Sequence, residues 1–155
     1  MHFLYDWTGQ SVWAAPFSGV NESTWEHMKL LYFPMFIYGL IQSRFFRDRK
    51  DFWCVKLIGM VVGLTAIPVL FYTYNGAFGK SPDWVNIAIF YISALIVFLF
   101  EWLAFKNDRL QRRHPGFPFA AICMIGVLFV AYTIAAPQIP LFRDPLTGDY
   151  GISTS

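Results

Sequence analysis

The sequence predicts an all-α integral membrane protein, a four-helix bundle, and three observations carry that reading. Of 155 residues, 56% are hydrophobic, 20% aromatic and only 14% charged, whereas a soluble domain carries about 25% charged residues to coat its surface. Four apolar stretches, at residues 25–46, 52–74, 84–105 and 117–136, divide the chain. The cations gather in two of the connections between those stretches. Disorder is excluded by the apolar content, and a disulfide scaffold by the two cysteines. The whole of residues 1–155 is expected to form a single transmembrane domain.

Residues 1–20 lack the basic start of a cleavable signal peptide. Phe3, Tyr5, Trp7, Trp13 and Phe17 alternate there with Asp6, Thr8, Gln10 and Ser11, the pattern of an aromatic segment in the outer interface. Each apolar stretch has 20 to 23 residues, so at about 1.5 Å per residue each crosses roughly 30 Å of hydrocarbon. Helix is the one open-ended choice, because lipid offers no partner to a free backbone group. Alternation over about ten residues, the mark of a barrel strand, does not occur. Residues 44–51 hold Arg44, Arg47, Arg49 and Lys50, and residues 106–114 hold Lys106, Arg109, Arg112 and Arg113, whereas residues 75–83 hold Lys80 alone. Loops 44–51 and 106–114 are therefore expected on the cytoplasmic side of the cytoplasmic membrane, with the C-terminus outside. The net charge of +2 is a topology signal: the expected partner is the lipid bilayer and not nucleic acid. Cys54 and Cys123 fall near the cytoplasmic ends of their helices and read as core packing. Three prolines make residues 137–151 an extended tail with a turn at 144–148.

The stretches HFLYDW (2–7), VNESTWEHMKLLYFPM (20–35), PVLFYTY (68–74) and IPLFRDPLTGDYG (139–151) resemble a family of small prokaryotic multi-pass membrane proteins of unknown function. The resemblance covers nearly the whole chain, and NESxWEH and the tail are its most specific parts. It implies one further hydrophobic helix ahead of HFLYDW in a full-length form, giving five helices with a cytoplasmic N-terminus and the same orientation for the rest. It implies no chemistry, so function rests on the residues.

The densest polar cluster is Asn21, Glu22, Glu26, His27 and Lys29, at the outer end of the first helix. Glu22, Glu26 and Lys29 share a face at i, i+4, i+7, and His2 and Asp6 could fold back onto it. Two carboxylates and a histidine suit a divalent cation, but Glu26 and His27, being adjacent, point about 100° apart. The plainer reading is a capping box, Ser23-Thr24-Trp25-Glu26, in which Ser23 and Glu26 satisfy orphan backbone donors. A cap accounts for Ser23 and Glu26 and leaves His27 and Lys29 unassigned.

On the third helix Asp83, Asn86, Ser93 and Glu101 fall within about 80° of one another. Lys56, early in the second helix, and Glu101, late in the antiparallel third, sit at matching depth. An ion pair between them, sealing the two helices, is expected ahead of a proton relay. Lys56 shares its face with Gly59 and Gly63, a spacing that allows close approach. Pro34 and Pro68 lie mid-helix and release the carbonyls of Leu30 and Leu64. Tyr72, Tyr74, Asn75, Asp83 and Asn86 could converge at the outer mouth, with the tail as a lid whose Arg143 reaches Glu22.

The candidate ligand-binding set is thus Glu22, Glu26, His27, Lys29, Asn86 and Arg143. No catalytic residue and no cofactor is indicated: nucleophile elbow, phosphate loop, dinucleotide and CxxC motifs do not occur, and His2, His27 and His114 all flank the spans. Three function classes remain. A small transporter or channel would use the outer polar residues as a vestibule and, with so few helices, needs a homo-oligomer. An accessory membrane protein would use the same residues as caps and clamps and bind partner subunits. A metal-assisted membrane enzyme would use Glu22, Glu26 and His27. The first ranks ahead of the second, and the third comes last.

Overall fold

A computed structural model describes residues 23–107, 116–143 and Gly148. Four α-helices follow in order: α1 Thr24–Ser43, α2 Phe52–Phe78, α3 Asp83–Asn107 and α4 Gly116–Ile134, and then a 3₁₀ turn at Pro140–Phe142. Consecutive helices run antiparallel, so one end of the bundle gathers Thr24, Phe78, Asp83 and Ile134; this is the outer end of the expected topology. Among the described residues, α2, α3 and the Gly116–Thr133 part of α4 are long and apolar enough to cross a membrane. α1 is not among them, because Glu26, His27 and Lys29 occupy its outer part.

The helix ends depart from expectation for local reasons. α1 stops at Ser43 rather than 46, since the amides of Phe45 and Phe46 both donate to the Gln42 carbonyl and turn the chain. α2 runs past Tyr74 to Phe78 and ends at Gly79, whose φ of 85° is open to glycine at little cost. Pro34 and Pro68 both lie inside continuous helix. The two cysteines are free thiols.

α2 is the centre of the bundle, packed on α1, α3 and α4, with its largest interface on α3. Val85, Ile89, Ser93, Val97 and Glu101, one residue in four, form the buried ridge of α3. That ridge lies against Gly59 and Gly63: a side chain on α2 would collide with Val97 at Gly63 and crowd it at Gly59. Leu31, Tyr32, Met35, Met60, Leu64, Ile67, Val97, Ile122 and Phe129 make the core. Outside it, Trp84, Ile87, Tyr91, Leu95 and Trp102 of α3 and Phe117, Met124 and Val127 of α4 are exposed. Helices with apolar residues on their outward faces as well suit hydrocarbon and not water.

Tyr32 is the polar contact between α1 and α4 at mid-depth. Its hydroxyl donates to the Ile122 carbonyl at 2.7 Å, and Gly126 admits it, since a Cβ there would lie 2.8 Å from the phenolic oxygen. Tyr32→Phe is expected to lower stability by about 0.5–1.5 kcal/mol, read as a shift in the midpoint of detergent-induced unfolding. No change would mean that the bond holds nothing.

Candidate functional site

At the outer end, Ser23 caps α1: its hydroxyl accepts from the Glu26 amide at 3.4 Å. Two separate polar groups grow from this first turn because His27, one position from Glu26 and two from Lys29, leaves the helix in a different direction from that i, i+3 pair. On the face toward α4, Glu26 Oε2 lies 2.6 Å from Lys29 Nζ. Lys29 is fully buried and also donates to Thr133 Oγ1 at 3.3 Å. Thr133 in turn donates to the Phe129 carbonyl at 2.8 Å, so its hydroxyl oxygen accepts from the ammonium while its O–H is spent within its own helix.

On the face toward α2 and α3, His27 Nδ1 lies 3.0 Å from the Ser23 carbonyl. His27, Thr24, Asn86, Ile67, Phe71 and Phe90 line a pocket of about 10 Å³, room for about one water. Asn86 Oδ1 accepts from Ser81 Oγ at 2.8 Å, Ser81 N donates to Asn75 Oδ1 at 2.7 Å, and Asn75 Nδ2 donates to the Phe71 carbonyl at 3.0 Å. These three bonds stitch the α2–α3 connection and fix the Asn86 amide at the pocket rim.

Above both groups the tail returns to α1. Phe142 is buried and stacks on Trp25 at 4.5 Å between centroids, while Trp25 packs on Phe129 at 4.6 Å. Arg143 follows it, exposed. Of the six candidate ligand-binding residues, then, Glu26 and Lys29 come together against α4, and His27 and Asn86 share the small pocket. Arg143 stands apart from both at the surface, and Glu22 lies outside the described residues, as do Asn21, His2, Asp6 and Asp144. Asp83 is exposed, while Ser93 and Glu101 lie on the buried ridge.

At the inner end Lys56 Nζ lies 2.6 Å from Glu101 Oε2, with the side chains 0% and 5% exposed. The Lys56 stem crosses Gly39 of α1, and its ammonium sits 5.3 Å from the Tyr38 ring centroid and 5.8 Å from that of Phe52. Such faces attract a cation that water does not reach. Glu101 Oε1 is turned toward Gly59, 3.3 Å from where a Cβ would stand, and has no conventional donor. Glycine Cα–H groups meet carbonyl and carboxylate oxygens at such helix contacts.

A second inner clamp carries no signal that the charge pattern alone reveals. Arg49 Nε and Nη2 reach the two oxygens of Asp51, each at 3.2 Å, and Nη1 donates to the Phe105 carbonyl at the end of α3, at 3.1 Å. Asp51 is fully buried, and Phe46, Phe52 and Phe105 stack beside it within 6 Å of one another. An acidic residue directly before the second apolar stretch is the one hint that one cation of this loop turns inward. Among the described residues no three of His, Cys, Asp and Glu come close enough to hold a metal.

Among the described residues, these features define a small helical bundle, with three helices long and apolar enough to cross a membrane and buried cations that each meet a carboxylate. The chain belongs to the family of unknown function DUF6512, whose profile matches residues 1–152. No curated protein matches it, and no solved structure does.

Proposed function

We propose that this is a multi-pass protein of the cytoplasmic membrane, with loops 44–51 and 106–114 on the cytoplasmic side, that works as a structural or accessory bundle. One observation carries the reading over a conduit: the two buried lysines, Lys29 and Lys56, each meet a carboxylate inside the bundle at 2.6 Å. A charge kept for a passing substrate faces a cavity. These face their counter-ions between packed helices, where each charge offsets part of its partner's desolvation and breaking the pair is costly. The exposed apolar faces of α3 and α4 then serve lipid and the helices of partner subunits.

The test is a thermal-stability screen of the detergent-purified protein against divalent metals, anions and small metabolites, run beside Glu26→Gln and His27→Ala. No compound is expected to stabilise the wild type, and both variants are expected only to melt earlier. A compound that stabilises the wild type and loses that effect in either variant overturns the accessory reading.

A transporter or channel is the second reading, favoured by the convergence of His27, Thr24 and Asn86 on one pocket between α1, α2 and α3. It requires a homo-oligomer to complete a path. In that case the same screen finds a ligand whose effect vanishes in His27→Ala and survives in Glu26→Gln.

A further inference from the structure

The inner connection, residues 44–51, divides its own side chains into two sets. Phe46 and Arg49 turn inward, onto Phe52, Phe105, Asp51 and the Phe105 carbonyl. Phe45 turns outward and is 82% exposed, and Arg44, Arg47 and Lys50 beside it are exposed too, with Asp48 as their one exposed acid. The loop is nevertheless built: the amides of Arg44, Phe45, Phe46, Arg49 and Phe52 are all spent in successive turns, and the Arg49 clamp ties it to α3. Near the end of α3, Lys106 is exposed and its ammonium sits 5.2 Å from the ring of Trp102, itself 59% exposed. Phe117, opening α4 at the same end, is exposed as well.

We propose that this inner rim binds the headgroups of anionic phospholipids. The inference rests on the membrane reading and goes beyond it by naming the lipid class. Phe45, Trp102 and Phe117 suit the boundary between acyl chains and headgroups, and Arg44, Arg47, Lys50 and Lys106 then stand level with the phosphates. Arginine offers a planar fork of donors that matches phosphate oxygens. A soluble anion has no use for exposed aromatic side chains, and here they sit at the ends of apolar helices, where acyl chains meet headgroups. An anionic lipid surface uses both the rings and the cations.

The test compares melting of the full-length protein in neutral detergent micelles doped with phosphatidylglycerol or with phosphatidylcholine. Phosphatidylglycerol is expected to raise the midpoint further, and salt to erase the difference. The triple variant Arg44→Gln/Arg47→Gln/Lys50→Gln is expected to need roughly a hundredfold more phosphatidylglycerol for the same rise, at about fivefold per cation. Arg49→Gln serves as the contrast: it lowers the starting midpoint and keeps the phosphatidylglycerol response. Equal effects of the two lipids, an undiminished response in the triple variant, or the same response to water-soluble glycerol phosphate each overturn the proposal. Release of the protein from membranes by alkaline carbonate washing would instead remove the membrane reading beneath it, and the two failures are therefore separable.

Discussion

Replacing Lys56 with methionine is expected to destabilise the bundle by about 3–5 kcal/mol, and Glu101→Gln by a comparable amount, because each strands a buried charge without its partner. The Lys56 side chain is 0% exposed and that of Glu101 5%, so no water can move in to replace the missing group. With both changes together no charge remains to be stranded, and the double variant is expected to recover most of the loss, as buried pairs replaced by neutral side chains commonly do. The coupling energy from the cycle is the quantity to measure, by helix circular dichroism during denaturant titration in micelles. Two singles and a double that all melt with the wild type would mean that the pair does not hold α2 to α3. Equal losses in one single and the double, with none in the other, would place the effect in that side chain's packing and not in the charge pair.

The depth match behind this pair is legible in the sequence because apolar length bounds both helices and antiparallel neighbours share a depth scale. The same physics makes the helical class and the four helices legible, although the polar outer turn of α1 leaves three of them, among the described residues, apolar enough to cross a membrane. Direction around the helix axis is harder. Glu26 and Lys29 could be placed on one face from their spacing, but their contact with Thr133 of α4 depends on which neighbour α1 meets there, and periodicity is silent when apolar residues surround a helix. Arg49 is a sharper case. In sequence it is one of four cations in a loop, and the turn bonds to Gln42 and Phe46 carbonyls are what aim it at Asp51 and Phe105 while its neighbours face out. The Tyr32–Ile122 bond ends on a backbone carbonyl, which has no sequence signature; Gly126 is the trace it leaves, and that glycine could equally have been read as lipid-facing. The vestibule expected from Glu26, His27, Lys29 and Asn86 divides in the structure for the same angular reason, with α1 itself standing between its two halves.

Gly63→Ala is expected to cost about 1–3 kcal/mol as an overpacked contact, although alanine ordinarily improves on glycine within a helix. The new methyl would overlap the Val97 side chain and stand 3.1 Å from Leu31 Cδ2. Val97 is fully buried and β-branched, so it has little rotamer freedom with which to retreat. Gly59→Ala is expected to be milder, since its methyl would stand 3.2 Å from Glu101 Cγ and 3.3 Å from Val97 Cγ1, crowded contacts and not an overlap. If steric contact is the cause, Val97→Ala makes room, and Gly63→Ala should then cost less in that background than in the wild type. Identical costs in the two backgrounds would mean that α2 and α3 are not in contact at Gly63. The seam matters beyond its own stability, because Lys56, Gly59 and Gly63 are successive steps along one face of α2. Forcing the helices apart at Gly63 also lengthens the path from Lys56 Nζ to Glu101 Oε2. Gly63→Leu, which adds far more bulk than a methyl, is therefore expected to weaken the charge coupling measured in the Lys56/Glu101 cycle, without touching either charged residue.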